Sequence, residues 1–161
     1  MRLARVTLSD RASAGVYEDR SGPAIEEFFE ANAAERVAWT RVVMPDEQRE
    51  LEEVLRRLCD EDHALIVTTG GTGPSARDVT PEATRAVLER ELPGFGEVMR
   101  MGSFEKVKTA ILSRAVAGTR GRTLIVNLPG NPRAIGECLG LLLPAMVEGI
   151  DHLRGERLKL K

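Results

Sequence analysis

Two kinds of apolar segment alternate along the chain. Short apolar runs are typical of strands, and apolar residues that recur every three to four positions are typical of helices. Short apolar runs with β-branched residues predict strands at residues 2–8, 36–44 and 64–69. Apolar stripes at helical spacing predict one helix that begins at Ser21 and a second that follows Pro45. Because strands alternate with helices, the pattern predicts an α/β fold with right-handed crossovers between parallel strands.

The second half of the chain predicts two further helices and a hairpin. The helices are expected at residues 81–90 and 98–108, on either side of a break at residues 93–97. Residues 110–117 and 122–127 predict two strands that flank a tight glycine turn. These two strands are expected to form an antiparallel pair at one edge of the sheet.

The C-terminal part of the chain predicts one long apolar helix. It should begin at Pro132, with Asn131 as its N-cap, and Pro144 should kink or divide it. Residues 158–161 are expected to fray. Together the elements predict a single domain over residues 1–161, with three α/β/α layers, a mostly parallel central sheet and an antiparallel edge hairpin.

Composition excludes several classes of function. A net charge of −2 and an aromatic content of 4% give no reason to expect a nucleic-acid partner. No apolar run reaches the length of a membrane span, and the first residues do not resemble a signal peptide, so a cytoplasmic protein is expected. Cys59 and Cys138 are expected to be small buried apolar residues without a disulfide. His63 and His152 lack the spacing of metal ligands, so no zinc site is expected.

The stretch from Thr68 to Glu82 carries the clearest chemical signal. A predicted strand leads into it, and Thr80, as an N-cap followed by Pro81, predicts a helix after it. Glycines let a backbone approach a ligand closely, and the exposed N–H groups of such a loop can hold phosphate oxygens. The residues expected to do so are Gly70, Gly71, Thr72 and Gly73.

Two better-known glycine loops fit this stretch less well. Residues 71–76 match the dinucleotide-binding pattern G-x-G-x-x-G/A, yet Pro74, Asp78 and Pro81 delay the helix that should begin on the glycines. The phosphate loop of nucleotide triphosphatases requires Gly-Lys-Ser/Thr, which is absent. The remaining alternative is a tight turn that binds nothing.

An acidic residue follows each of the first three predicted strands: Asp10 in a polar loop over residues 9–20, then Asp46 and Asp78. Loops from the carboxyl ends of parallel strands lie on one side of a sheet, where ligands bind. These acids could therefore share a divalent cation or surround a phosphate. The local alternatives are that Asp46 only caps a helix, that Asp10 pairs with Arg11, and that Asp78 pairs with Arg77.

Basic and hydroxyl side chains accompany these acids. Arg11, Arg77 and Arg114 lie in or near the same loops, and arginine suits bidentate contacts with phosphate. Ser113 and Thr72 offer hydroxyl groups, and ordinary surface polarity is the alternative for all of them. No Ser-His-Asp or Cys-His arrangement is visible, so covalent hydrolysis is not expected.

Six motifs together resemble the molybdenum cofactor biosynthesis family, and within it the molybdopterin adenylyltransferases. They are Ser9–Ser13, Pro45–Gln48, Thr68–Thr84, Pro93–Glu97, Leu112–Arg114 and Asn127–Pro132. They follow the family's order over nearly the whole chain.

The resemblance implies a homotrimer that transfers AMP from ATP to the phosphate of molybdopterin and releases pyrophosphate, with Mg²⁺ as cofactor. Asp46 and Asp78 occupy the positions of its catalytic and metal-binding acids. The resemblance also implies hand-over of the product to a molybdenum-insertion protein. The other residues expected to bind substrate or nucleotide are Ser9, Asp10, Arg11, Thr69, Gly70, Gly71, Thr72, Gly73, Ser113, Arg114, Pro129, Gly130 and Asn131.

One departure keeps a second function class open. The segment after Pro132 lacks an insertion of many bacterial adenylyltransferases, and residues 101–117 resemble a sister group of the same fold. The alternative is therefore a non-catalytic, trimeric molybdopterin-binding protein, which needs the glycine loops and neither acid. Another phosphotransfer on a pterin is a further alternative. The intact Pro45–Glu47 and Arg77–Asp78 sequences favour the enzyme.

Overall fold

A computed structural model describes every residue from Met1 to Lys161. Its strands are Arg2–Leu8 (β1), Ala38–Met44 (β2), Leu65–Thr69 (β3), Arg90–Glu91 (β4), Ala117–Arg120 (β5) and Thr123–Leu128 (β6). Its α-helices are Asp10–Ser13 (α1), Ser21–Asn32 (α2), Gln48–Asp60 (α3), Thr80–Val87 (α4), Pro93–Phe104 (α5) and Pro132–Arg154 (α6). A 3₁₀ turn covers Lys108–Leu112.

The six strands form one sheet in the order β2-β1-β3-β6-β5-β4. The first four strands in that order are parallel, whereas β6, β5 and β4 pair antiparallel. β3 has a parallel partner on each side, and all five of its residues are buried. This arrangement confirms the predicted mostly parallel sheet with an antiparallel edge.

Apolar side chains alternate between the two faces of the sheet and build a core on each. One core joins α2, α5 and α6 to residues such as Leu65 and Val67 of β3. The other joins α3 and α4 to Ile66, their neighbour on the same strand. The helical layers on both faces confirm the three-layer α/β/α prediction. They cover the faces of the sheet and not the ends of its strands, where the loops begin.

The predicted hairpin is confirmed, but its first strand is displaced along the chain. Residues 110–117 are not a strand, because β5 begins only at Ala117. The turn lies at residues 121–122, where Gly121 has a φ of 54° that suits a two-residue hairpin. Gly118 lies within β5, where an added Cβ would come within 2.2 Å of the Arg90 carbonyl oxygen. This glycine therefore permits the approach of β4, which the sequence did not predict.

Other predicted boundaries also need correction. Residues 93–97 are not a break, because Pro93 begins α5, where its fixed φ suits the first helical turn. Part of the polar loop at 9–20 is the short helix α1, since Ser9 Oγ accepts a hydrogen bond from Ala12 N at 3.1 Å. Pro144 lies inside α6, which continues through it undivided.

The C-terminal tail does not fray as expected. Leu158 is buried, and Lys161 N donates to Asn32 O at 2.9 Å. Ala34 N donates in return to Lys159 O at 2.8 Å. The tail is therefore held against the end of α2.

A partly buried ion network ties α2 to the sheet. Arg5 on β1 donates from Nε to Glu26 Oε1 at 2.6 Å and from Nη1 to Asp19 Oδ2 at 3.0 Å. Arg41 on β2 donates to both oxygens of Glu26, at 2.7 and 2.6 Å. These hydrogen bonds, from Arg41 and then Arg5, lower the pKa of Glu26 although burial opposes them. Since a buried charge is costly without a partner, the network depends on each of its members.

Glu26→Gln is expected to lower the free energy of unfolding at pH 7 by about 2–4 kcal/mol, because it removes the charge that both arginines bind. The lowered pKa of Glu26 means that its ionised form stabilises the fold above the unfolded pKa, and that this contribution is lost as the pH falls through the folded pKa. In urea unfolding, the difference from the parent should therefore narrow between pH 7 and pH 3.

Glu27→Gln is the matched control, because Glu27 is exposed on the same helix and makes no ion pair. It should change stability by less than about 0.5 kcal/mol. An equal loss for Glu26→Gln at both pH values would contradict the electrostatic explanation.

Candidate active site

The parallel strands bring four loops to one edge of the sheet. β1 lies between β2 and β3, and β3 pairs next with β6. Leu8 pairs with Met44, and Thr69 pairs with both Thr7 and Leu128. The loops that begin at residues 9, 45, 70 and 129 therefore leave the sheet side by side.

Reciprocal hydrogen bonds join the first two of these loops. Asp10 N donates to Asp46 Oδ2 at 3.2 Å, and Asp46 N donates to Asp10 Oδ1 at 3.0 Å. The N-cap of α3 is Glu47, and its side chain makes no capping hydrogen bond. The alternative that Asp46 only caps this helix is therefore wrong.

Arg77 fastens the glycine loop to both neighbouring loops. It donates from Nε and Nη2 to the two Asp10 oxygens, at 3.0 and 2.8 Å, and from Nη2 to Glu47 Oε1 at 3.2 Å. Arg77 thus pairs with Asp10 rather than with its neighbour Asp78, and Asp10 does not pair with Arg11. Hydrogen bonds from Arg77 lower the pKa of Asp10.

Asp46 has a different electrostatic environment. Burial raises its pKa, and the negative charges of Asp10 and Asp78 raise it further, although the Asp10 amide opposes the shift. Neither Asp46 nor Asp78 forms an ion pair. A half-buried carboxylate beside other negative charges favours a bound proton or a cation.

Asp78 lies against the glycine loop. Its Oδ2 accepts from Ser75 N at 3.0 Å and from Ser75 Oγ at 2.7 Å, whereas its Oδ1 has no partner in the protein. An added Cβ at Gly73 would lie 2.8 Å from Asp78 Oδ2, and one at Gly71 would lie 2.9 Å from Asp46 Oδ1. Both carboxylates therefore border the same loop, and Asp46 Oδ1 is likewise without a hydrogen bond.

The donor set fits Mg²⁺ bound together with a phosphate ligand. No group of three or more His, Cys, Asp and Glu side chains is placed to hold a metal ion. Asp46 and Asp78 supply two carboxylates, each with one free oxygen. Mg²⁺ is usually held in this way, by one or two carboxylates, substrate phosphates and water.

The glycine loop has a conformation that requires glycine. Gly70 and Gly71 have φ values of 94° and 66°, and a Cβ at Gly70 would lie 2.3 Å from Leu8 O. Thr80 is the first residue of α4 rather than its N-cap. Its hydroxyl donates to Gly70 O at 2.9 Å, and its amide donates to Gly71 O. The loop therefore forms the tight turn that was one of the predictions, and the two hydrogen bonds from Thr80 stabilise it.

The same loop and its neighbour expose unpaired backbone donors. Gly71, Thr72, Gly73, Gly130 and Asn131 are among the residues whose amides donate to no group of the protein. The amide of Gly70 is not free, because it donates to Leu128 O at 3.2 Å. Asn131 caps α6 through its side chain, which accepts from Arg133 N at 3.0 Å. Unpaired amides beside helix N-termini are typical of sites that bind phosphate.

Two cavities share these loops as walls. The first, of about 450 Å³, is the Ser9 cavity, and four predicted binding residues line it: Ser9, Thr69, Gly70 and Gly130. The second, of about 290 Å³, is the Ser113 cavity, and five more line it: Thr72, Gly73, Ser113, Pro129 and Asn131. The predicted residues thus divide between two adjacent spaces.

The remaining predicted residues line neither cavity. Asp10, Asp46, Gly71 and Asp78 lie on the segments that follow β1, β2 and β3, and Arg11 is exposed without an ion pair. Arg114 donates to the carbonyl oxygens of the glycine loop and to a carboxylate, so each of its three side-chain nitrogens has a partner within the protein.

Tyr17 is a residue that the sequence reasoning missed. It lines the Ser9 cavity, and its hydroxyl lies 2.8 Å from Ser9 Oγ. Its only signal was that it is the single tyrosine of the chain. Met99, Arg100 and Ser103 of α5, which line the Ser113 cavity, gave no signal beyond helical spacing.

None of the helices combines the length and the apolar character needed to cross a membrane. The chain is 47% identical over 156 residues to a molybdopterin adenylyltransferase of Helicobacter pylori, covering 96% of this chain and 89% of that one. It is 50% identical over 140 residues to the molybdopterin adenylyltransferase of Escherichia coli, with coverage of 86% and 72%. The solved molybdopterin biosynthesis enzyme MoaB of Thermus thermophilus superposes with a TM-score of 0.89 at 43% identity, covering 98% and 99% of the two chains.

The family match confirms the resemblance that the six sequence motifs indicated. Residues 4–148 match the family described as a probable molybdopterin binding domain, and this range contains all four loops of the site. The chain therefore belongs to the molybdenum cofactor biosynthesis family of probable molybdopterin binding domains.

Proposed function

We propose that the protein is a molybdopterin adenylyltransferase, which transfers AMP from ATP to the phosphate of molybdopterin and releases pyrophosphate. The observation that carries the proposal is the pair of cavities that meet at loops with unpaired amides, beside two carboxylates without ion pairs. A reaction that joins two phosphate-bearing ligands requires two adjacent sites of this kind. The relatives named molybdopterin adenylyltransferase support the choice of substrates.

The chemistry needs little proton transfer. The phosphate of molybdopterin is a monoester and is mostly dianionic at neutral pH, so it needs no general base. One of its oxygens forms a bond to the α-phosphorus of ATP, while the bond from that phosphorus to the pyrophosphate oxygen breaks. The difficulty is to bring two polyanions into line, so positioning and charge neutralisation should supply most of the rate.

The backbone of the two loops would hold the phosphate groups. The free amides of Gly71 to Gly73 point to one set of phosphate contacts, and those of Gly130 and Asn131 to another. Hydroxyl groups in each cavity, those of Ser9 and Ser113 among them, would orient the ligands. Because these donors stand on tightly held loops, they need little rearrangement during the reaction.

Asp46 and Asp78 would hold Mg²⁺, which when bound neutralises the ATP phosphates and the leaving pyrophosphate. Asp10 is less suited to this role, because Arg77 already neutralises it. Its contribution is to hold Asp46 through the reciprocal hydrogen bonds and so to fix one of the two proposed ligands.

The wider proposal covers the setting of the enzyme. Residues 1–161 would act as one molybdopterin-binding domain in the cytoplasm, where the free Cys59 and Cys138 would remain reduced. The product would pass to a molybdenum-insertion protein. We also propose a homotrimer, supported by exposed apolar side chains on elements that contact one another. These apolar-patch residues are Val98 and Met101 of α5, Ile111 and Leu112 of the 3₁₀ turn, and Leu141 of α6.

The direct test is pyrophosphate release from molybdopterin, ATP and Mg²⁺ by the purified protein. Asp78→Asn should lower turnover at least about 100-fold, because one carboxylate of the Mg²⁺ site is lost. Its amide oxygen can still accept from Ser75, so the fold and molybdopterin binding should survive. Asp46→Asn should behave alike, and thermal melting checks that both variants are folded.

Asp60→Asn is the matched control, since Asp60 is exposed at the end of α3 and should leave turnover unchanged. A folded Asp78→Asn variant with near-parental turnover would contradict the assignment of that residue. Molybdopterin binding without pyrophosphate release by the parent protein would instead support the non-catalytic alternative.

Gly71→Ala should weaken ATP or molybdopterin binding beyond its effect on stability. Gly71 has a φ of 66°, and the new Cβ would lie 2.4 Å from Thr80 Oγ1 and 2.9 Å from Asp46 Oδ1. Gly121→Ala is the control, because Gly121 has a φ of 54° but no atom near its Cβ position. Each variant should lose about 1–2 kcal/mol of stability through the positive φ, with a further loss at Gly71.

Titration calorimetry with each substrate separates the two variants. Only Gly71→Ala should lose affinity. Parental affinity in folded Gly71→Ala, or an equal loss in Gly121→Ala, would contradict the role of the loop in binding.

Light scattering coupled to size exclusion should give three times the mass of the chain. Met101→Glu should shift the protein towards the monomer, because Met101 is 67% exposed in the apolar patch. Val16→Glu is the control, since Val16 is 71% exposed in the loop before α2 and should leave the mass unchanged. A monomeric parent protein at micromolar concentration would overturn the trimer proposal.

A further inference from the structure

Arg114 binds the glycine loop at both of its ends. Its Nε donates to Gly73 O at 2.9 Å, and its Nη2 donates to Asp78 O at 2.8 Å. Its own backbone amide donates to Thr72 O at 2.8 Å. Between these contacts, residues 74–77 are exposed and form no helix or strand. One side chain therefore spans the segment that carries Asp78.

The carboxylate of Glu82 also holds the guanidinium group of Arg114. This carboxylate, in the first turn of α4, accepts hydrogen bonds from Nη1 and Nη2. The hydrogen bond from Arg114 lowers the pKa of Glu82, so the carboxylate is ionised at neutral pH. Because a guanidinium is a planar fork, this bond sets the direction in which Nε and Nη2 point.

These contacts leave Arg114 unsuited to the phosphate-binding role that its sequence motif suggested. All three of its nitrogens donate to groups of the protein, and the partner carboxylate of Glu82 would repel a phosphate placed nearby. The contacts suit a different task. Ordering a backbone segment costs conformational entropy, so exposed residues are ordered only where contacts hold them. Arg77 holds this segment from within, through Asp10 and Glu47, and Arg114 holds its two ends.

We propose that Arg114, oriented by Glu82, is a positioning residue that holds the segment from Gly73 to Asp78 in its binding geometry before any ligand arrives. The Asp78 carboxylate then lies beside Gly73, on the loop that Asp46 borders at Gly71, without rearrangement. Preorganisation of this kind lowers the entropic cost of assembling the site. The consequence for turnover rests on the proposed adenylyl transfer, whereas the ordering of the segment does not.

Hydrogen exchange of the ligand-free protein measures the ordering directly. Two amides report on the segment, since Asp78 N donates to Ser75 O and Ser75 N donates to Asp78 Oδ2. Arg114→Lys replaces the fork with a single ammonium that cannot reach both carbonyl oxygens. These two amides should then exchange at least about tenfold faster, while those of β3 remain unchanged. Glu82→Gln should give a smaller increase in the same two amides.

Arg57→Lys is the matched control, because Arg57 forms an exposed ion pair with Glu61 on α3. It should leave exchange and turnover unchanged. Should Arg114→Lys fail to fold, Glu82→Gln carries the same test. Unchanged exchange in the folded variants would overturn the proposal.

Kinetics separate positioning from substrate binding. A positioning residue predicts that both variants lower kcat more than they raise KM for ATP. If Arg114 instead bound a phosphate, Arg114→Lys would raise KM, and Glu82→Gln would tighten ATP binding by removing a competing carboxylate. That pattern would also overturn the proposal. A parent protein without turnover would refute the proposed reaction, and the exchange measurement would still decide the role of Arg114.

Discussion

The reciprocal hydrogen bonds between Asp10 and Asp46 are the constraint on which the site depends. Parallel strands place the ends of β1 and β2 side by side, but strand pairing alone leaves the following loops free to diverge. Each aspartate accepts from the backbone amide of the other, so the two loops are joined by a pair of hydrogen bonds. Arg77 then extends this attachment from Asp10 to the glycine loop. Three loops from three strands thus behave as one surface.

This attachment also separates the roles of the three acids. Arg77 neutralises Asp10, which leaves it with a structural task. Asp46 and Asp78 form no ion pair, and the raised pKa of Asp46 reflects burial together with two neighbouring negative charges. A site that keeps two carboxylates unpaired beside unpaired amides can accept both a cation and phosphate groups. The proposed transfer therefore depends on charge neutralisation rather than on a general base.

Much of the fold could be predicted because it follows from local patterns. Alternating apolar runs and stripes identify β1, β3 and α3, and the parallel topology alone predicts that Asp10, Asp46 and Asp78 converge. The glycine loop could also be predicted, since it lies between an apolar strand and Pro81. The family resemblance then supplied the substrates, which no pattern of spacing could have identified.

What could not be predicted depends on side chains that meet only in the folded protein. Arg77 and Asp10 are 67 residues apart, and Arg114 and Glu82 are 32 apart, so one sequence holds no trace of either pairing. For the same reason the sequence predicts only a phosphate contact for Arg114 and not its hydrogen bonds to Gly73 O and Asp78 O. Gly118 was expected in a turn, because the sequence does not distinguish a glycine that permits close strand packing from one that permits a bend.

In the proposed reaction AMP passes directly between two ligands held side by side, with no adenylyl-enzyme intermediate. The most direct test is isotope exchange between labelled pyrophosphate and ATP, with Mg²⁺ and with or without molybdopterin. We expect exchange only when molybdopterin is present, because its phosphate is the group that accepts AMP in the proposed reaction. Exchange of labelled pyrophosphate into ATP in the absence of molybdopterin would reveal a covalent intermediate and would contradict direct transfer of AMP to molybdopterin.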